Sequence, residues 1–171
     1  FNMTANPGHS IKGNITVSSG GILNFAPTSA AVINFDGSTQ QIIDAANPIR
    51  INRFDTIIVN NSNGLIINDS IIINGTLKLN DGIITLNNSI TIDSIGQVIT
   101  NSINEFIVLN NNSKLFKKFP ITGDSFIYPI GETLPFSKYL PVSITFNSGT
   151  FIPNNNFVGL NTTPMKHPND L

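Results

Sequence analysis

The stretch that decides the fold is Asn68-Asp69-Ser70-Ile71-Ile72-Ile73, which returns 19 positions later as Asn87-Asn88-Ser89-Ile90-Thr91-Ile92. A second motif, Gly64-Leu65-Ile66-Ile67, recurs 18 positions later as Gly82-Ile83-Ile84-Thr85. Isoleucine suits a strand because its branched Cβ is stiff and packs well on a pleated surface. Asparagine, aspartate and glycine tolerate the left-handed backbone of sharp turns. A period near 18 to 20 residues that holds two or three short strands is typical of a β-solenoid.

The same alternation of β-branched runs and polar turns continues on both sides of these motifs, and no window shows helical spacing with caps. Parallel strands should therefore stack at about 4.8 Å per coil around a narrow core of Ile, Leu and Val. The general crossover preference makes the expected coil right-handed. The predicted strands lie at 56–59, 65–67, 71–73, 76–79, 83–86, 90–92, 97–100 and 106–109.

A sandwich built from hairpins is the alternative for these strands. Asn74-Gly75 stands between two apolar runs and is a strong signal for a two-residue hairpin turn. The constant offset between repeats favours the solenoid, because a hairpin meander needs no fixed period.

The chain divides into two predicted parts. Residues 1–113 should form solenoid coils, with earlier coils of weaker phase at 13–17, 20–25 and 31–35 and a corner or edge at Pro48. Residues 114–171 are richer in aromatic residues and proline and should hold longer, paired strands near 125–129 and 140–146. The predicted fold is therefore all-β, a right-handed parallel β-helix followed by an antiparallel β cap or the start of a β-sandwich.

Composition excludes several classes of protein. Of 171 residues, 40% are hydrophobic and 11% are charged, and the net charge is -1. No basic excess exists to displace counterions from phosphates, so nucleic acid is not an expected partner. No apolar run approaches the roughly 18 residues that span a bilayer, so no membrane span is expected. The chain begins at Phe1 without a leader, and we expect it to be a piece of a longer protein whose other domains are its partners.

The order of several motifs resembles that of the repetitive extracellular proteins of Bacteroidota bacteria. The resemblance runs over residues 13–146 and rests on Gly13-Asn14-Ile15-Thr16-Val17, Phe35-Asp36-Gly37-Ser38-Thr39, Gly75-Thr76-Leu77-Lys78-Leu79 and Tyr128-Pro129-Ile130-Gly131-Glu132. It implies a large secreted or cell-surface chain, often adhesin-like and often exported by type IX secretion. It also implies the outer-membrane secretion translocon and glycans as partners.

The chemistry of a catalytic or metal site is not indicated. Asp69, Asp81 and Asp93 are spaced 12 apart, but each stands in a turn, where aspartate bonds its own backbone. His9 and His167 are too few for a metal cluster or a triad. The Gly-Gly-x-Gly-x-Asp tracts of calcium-binding solenoids are missing, although a single calcium ion at a turn stays open. We therefore expect no catalytic residue, no metal site and no cofactor.

Lys114, Lys117 and Lys118 form a small basic cluster beside two phenylalanines. A solvated edge with gatekeeper lysines is the favoured interpretation, and a nucleic-acid or lipid contact is the alternative.

The resemblance also implies a modification. Exported Bacteroidota proteins carry O-linked glycans at Asp-Ser/Thr-aliphatic sites, and three such sites make Thr56, Ser70 and Ser94 candidate O-glycosylation positions. The alternative is that each Asp-Ser or Asp-Thr pair is only a turn followed by a strand.

The expected function is a non-catalytic, extracellular structural or adhesive module. The alternative is an accessory carbohydrate-binding or carbohydrate-active β-helix module of a secreted enzyme.

Overall fold

The computed structural model of the chain describes residues 8–18, 21, 24–25, 31–45, 52–120, 124–133, 135, 137–150 and 156–162. Within these residues the protein is all-β, without a helix, and its parallel sheets stack as a β-solenoid of about four turns. The predicted fold class is confirmed. Pro48 lies outside the described residues.

Each coil contributes one strand to each of three sheets. Sheet A contains β1 (His9–Ile11), β4 (Val32–Phe35), β7 (Thr56–Asn60), β10 (Thr76–Asp81) and β13 (Gln97–Thr100). Sheet B contains β2 (Ile15–Val17), β5 (Gln41–Ala45), β8 (Leu65–Ile67), β11 (Ile84–Leu86), β14 (Ile107–Leu109), β17 (Ile130–Glu132) and β18 (Lys138–Tyr139). Sheet C contains β3 (Asn24–Phe25), β6 (Asn52–Phe54), β9 (Ile71–Ile73), β12 (Ile90–Ile92), β15 (Leu115–Lys118) and β20 (Phe157–Leu160). In a separate two-stranded sheet, β16 (Ser125–Tyr128) pairs antiparallel with β19 (Val142–Thr145).

The 19-residue sequence repeat is the register of sheet C. Ile71 pairs in parallel with Ile90, so the two motifs lie directly on top of each other. The 18-residue alignment of the second motif is wrong by one position, because Leu65 pairs with Ile84 rather than with Ile83. The offset falls from 21 at Asn60–Asp81 to 19 at Leu65–Ile84, because the corner between β10 and β11 is shorter than the corner between β7 and β8.

The hairpin alternative is wrong. β9 and β10 belong to different sheets, and Asn74-Gly75 turns the corner between them. The two backbone N–H groups of this corner donate to the coil below, from Asn74 to Phe54 O at 2.8 Å and from Gly75 to Asp55 O at 2.8 Å. The turn residues therefore extend the parallel ladder around the corner.

Inward positions of successive coils form continuous apolar rows. Alternate residues of β7 to β12 are fully buried, as the period of 2 requires. Burying one such side chain contributes about 1.5–3 kcal/mol, which makes these rows the main source of stability. The rows include Ile33–Ile57–Leu77, Phe35–Val59–Leu79, Leu65–Ile84–Ile107–Ile130 and Phe54–Ile73–Ile92.

One corner between sheets A and B has a buried polar core. The amide of Gln41 donates to Ile11 O at 2.8 Å and Gly13 O at 2.7 Å, and its oxygen accepts from Gly37 N at 2.8 Å. Asn61 donates to the same oxygen at 3.0 Å. All of these polar groups are satisfied, so the corner stays ordered without an apolar filling.

The C-terminal end of the stack is closed by antiparallel strands. β20 pairs with β15 at the end of sheet C, and β18 pairs with β17 at the end of sheet B. The predicted strand pair near 125–129 and 140–146 is confirmed as the two-stranded β16–β19 sheet. The parallel ladders nevertheless continue beyond the boundary drawn at residue 113, because β15 still pairs with β12 and β17 with β14.

Candidate functional site

The corner between β12 and β13, residues 93–96, carries the densest cluster of charged groups around one turn of the described stack. Asp93 N donates to Ile73 O at 2.8 Å and Gly96 N donates to Asp93 O at 2.9 Å, so the turn is closed on itself and tied to the coil below. The strand above it, β15, brings Lys117 and Lys118 to the same corner. We call residues 93–96 with these two lysines the Asp93 corner.

Lys117 is buried inside the coil, with only 3% of its surface exposed. Its register partner is Ile92, so it occupies the inward row begun by Phe54, Ile73 and Ile92. The side chain turns toward the corner, where Nζ donates to three backbone carbonyls. These are Asp93 O at 2.7 Å, Ser94 O at 2.7 Å and Gly96 O at 2.8 Å.

The ammonium group of Lys117 is a structural staple. Burial lowers the pKa of Lys117, while the carboxylates of Asp124 and Asp93 act in the opposite direction. The Phe126 ring of β16 also lies against the ammonium group, with Nζ 5.6 Å from the ring centroid. Since all three donors of the ammonium point at carbonyls, the group holds the turn and is not presented as a nucleophile.

Lys118 is the partly exposed member of the pair. Its Nζ lies 3.2 Å from Asp93 Oδ1. Burial raises the pKa of Asp93. The Ser94 backbone N–H and the Lys118 ammonium together lower it by more than burial raises it, so the pKa lies below its ordinary value. Asp93 is therefore held as a carboxylate beside a small cavity of about 90 Å³, which Ser94, Lys118 and Pro120 help to line.

The expected basic surface cluster is only partly formed. Lys117 points inward, which corrects the prediction that all three lysines lie on a solvated edge. Lys118 is paired with Asp93, and Lys114 is exposed with its Nζ 6.0 Å from the centroid of the Phe116 ring.

The three candidate O-glycosylation residues lie at corners and differ in accessibility. Ser70 is exposed, at the corner between sheets B and C, and donates to Asn88 Oδ1 at 3.1 Å. Thr56 is partly buried at the start of β7 and donates to Asp55 Oδ2 at 3.0 Å. Ser94 is partly buried in the Asp93 corner. Ser70 is thus the most accessible of the three hydroxyl groups.

The structure does not bring Asp69, Asp81 and Asp93 together. They fall at three different corners, after β8, at the end of β10 and after β12. Among the described residues no group of three or more His, Asp or Glu side chains is placed to hold a metal ion. His9 lies on β1, and His167 is outside the described residues.

Sequence reasoning missed an aromatic cluster in the cap. Phe119 and Phe146 meet edge to face with centroids 4.8 Å apart, and Phe126 and Tyr128 do the same at 4.8 Å. Tyr128 is fully buried, and its hydroxyl donates to Val158 O at 3.0 Å. Burial raises the pKa of Tyr128, so this hydroxyl stays protonated as a donor that ties β16 to β20. Only the high aromatic content after residue 113 hinted at the cluster.

No protein-family model, no curated protein and no solved structure matches this chain. Within the described part of the chain, no helix combines the length and apolar character needed to cross a membrane.

Proposed function

We propose that this chain is a non-catalytic structural and adhesive module of a large secreted or cell-surface protein, exported by type IX secretion. The observation that carries the proposal is the continuous parallel ladder on three sides of the stack, which ends in antiparallel strands at one end. The order of motifs that resembles Bacteroidota extracellular proteins supports the location and the export route.

Such a stack acts by spacing. Each coil adds about 4.8 Å along the axis, and each is bonded to its neighbours on every side. The Lys117 staple fixes the corner that leads into β13, the strand at which the ladder of sheet A ends. A module of this kind holds the other domains of a longer chain at a set distance from the cell and presents its outer face to a surface.

Protease treatment of intact cells that naturally produce the protein tests the location. We expect the chain to be cut on intact cells while a cytoplasmic marker protein survives. Survival of both proteins would exclude a surface role.

An assay for new reducing ends on a panel of polysaccharides tests the non-catalytic part of the proposal. The 171-residue chain should release none. Turnover of any polysaccharide would instead favour the second candidate, an accessory carbohydrate-active or carbohydrate-binding module. The contact between Phe116 and the exposed Phe157 ring is the observation that favours a carbohydrate-binding module.

A further inference from the structure

The outer face of sheet C ends in an aromatic surface. Phe116 of β15 and Phe157 of β20 meet nearly at right angles, with centroids 5.5 Å apart and an interplanar angle of 82°. Together with Thr91 and Lys118 they line a cavity of about 240 Å³, which we call the aromatic corner. Phe157 is 59% exposed although it packs edge to face on Phe116, which is a large fraction for an aromatic side chain.

The backbone is shaped to hold this surface. Gly159 pairs with Phe116, and a Cβ on Gly159 would stand 2.2 Å from Cε1 of the Phe116 ring. Any side chain there would displace the ring, so the ring lies directly over the β20 backbone. The two rings thus form a floor and a wall for one small ring-shaped ligand.

The polar groups around the aromatic corner have mixed charge. Lys118 lines the cavity, and its Nζ lies 3.2 Å from Oδ1 of Asp93, which lines the neighbouring cavity of about 90 Å³, so a donor and an acceptor stand side by side where the two cavities adjoin. Lys114 lies with Nζ 6.0 Å from the centroid of Phe116 and forms no ion pair with any described residue. One ammonium group, that of Lys118, therefore lines the cavity, with the Asp93 carboxylate paired to it and the Lys114 ammonium near the Phe116 ring.

We propose that the aromatic corner binds a uronic-acid residue of an acidic polysaccharide. The C–H face of a pyranose ring carries partial positive charge and stacks on aromatic rings, and its hydroxyl groups need donors and acceptors together. The Asp93–Lys118 pair supplies both, and Lys114 pairs with the sugar carboxylate. A fatty acid or the acyl chain of an anionic lipid has no hydroxyl groups, so it offers the Asp93 carboxylate no hydrogen-bond donor. The volume of the cavity suits one monosaccharide.

This inference deepens the adhesive part of the proposed function and rests on it. The experiment is calorimetric titration of the 171-residue chain with oligogalacturonate, with a neutral malto-oligosaccharide of equal length and phosphatidylglycerol vesicles as parallel probes. Its failure would leave the spacing role and the cell-surface location untouched, because those are tested by protease treatment of intact cells.

We expect binding of the acidic oligosaccharide alone. Phe157→Ala should weaken it by about tenfold or more, because exposed aromatic anchors dominate such contacts. Lys114→Ala should weaken it by about threefold and reduce its salt dependence. Leu140→Ala, at a side chain 37% exposed elsewhere in the cap, and Lys78→Ala on sheet A are the matched controls and should leave binding unchanged.

Several results would overturn the proposal. They are equal binding of the neutral oligosaccharide, binding to the vesicles instead, no binding to any probe, and unchanged affinity in the Phe157→Ala variant. Circular dichroism of each variant checks that the fold is retained.

Discussion

Replacing Lys117 by methionine isolates the staple of the Asp93 corner. Methionine keeps the length and the apolar stem of the side chain and removes only the ammonium group. Gly96 O lies in a buried bond and loses its donor, which costs about 1.5–3 kcal/mol for a charged hydrogen bond. The carbonyls of Asp93 and Ser94 are partly buried and regain water, so their loss is about 0.5 kcal/mol each.

The expected loss in free energy of unfolding is about 2–3 kcal/mol, since removal of the buried charge offsets part of the sum. Urea titration followed by far-ultraviolet circular dichroism measures it. Lys118→Met is the matched control, because an ion pair at the surface contributes less than about 1 kcal/mol. Equal stability of the Lys117→Met variant and the natural chain would refute the staple, as would an equal loss in both variants.

Three further predictions concern a turn, a pH dependence and a modification. Gly82→Ala should lower the free energy of unfolding by about 3 kcal/mol or more, because φ is +92° and the new Cβ would overlap Asn61 O. The control is Gly13→Ala, whose new Cβ meets nothing within 4 Å, and it should be nearly neutral in the same urea titration. Hydrogen bonds from Lys12 and then Ser10 lower the pKa of Asp36 in the folded chain. The stabilisation that they give is complete above the ordinary carboxyl pKa of 3.8 and is lost as the pH falls through the lower pKa of the folded state. In a plot of unfolding free energy against pH, Asp36→Asn should therefore flatten the fall at acid pH, and an unchanged fall would contradict the assignment. Intact-mass analysis of protein from its natural source should show a glycan that disappears in Ser70→Ala, and an unmodified mass would remove the glycosylation hypothesis.

The positions of the strands and their parallel stacking could be predicted from the sequence. The branched runs alternate with turn residues, and the 19-residue repeat of Ile71 and Ile90 is itself the register of sheet C. The alternation of strand-forming and turn-forming residues was therefore enough to predict the stacked coils. The 18-residue alignment failed at Gly82 because a corner can gain or lose a residue without changing the strands that flank it.

The inward position of Lys117 could not be predicted from the sequence. Its register partner Ile92 is 25 positions away, because the offset grows at each corner of this coil, from 19 in sheet C below to 21 at β13, 23 at β14 and 25 at β15. The last increase comes from the corner before β15. That corner includes Asn111 and Asn112, both with left-handed backbone, at φ 53° and 59°. A period of 19 gives no guide to the register after such an expansion.

The aromatic corner depends on contacts still more distant in sequence. Phe116 meets Phe157 only because β20 returns to pair antiparallel with β15. Neither strand carries a local pattern that names its partner. The side-chain contacts of the cap thus depend on pairing between strands that are distant in sequence, whereas those of the coils follow from the short sequence repeat.

The equal offset of 19 residues from β6 to β9 and from β9 to β12 has a consequence for how such a chain can change its length. Removing residues 71–89 would join Ser70 to Ile90 and delete one whole coil of the solenoid. Strand β12 would then pair with β6, as β9 does in the natural chain. Copying the same segment would insert one such coil. Gene duplication can therefore adjust the reach of this protein in whole steps, each of which needs no new packing solution.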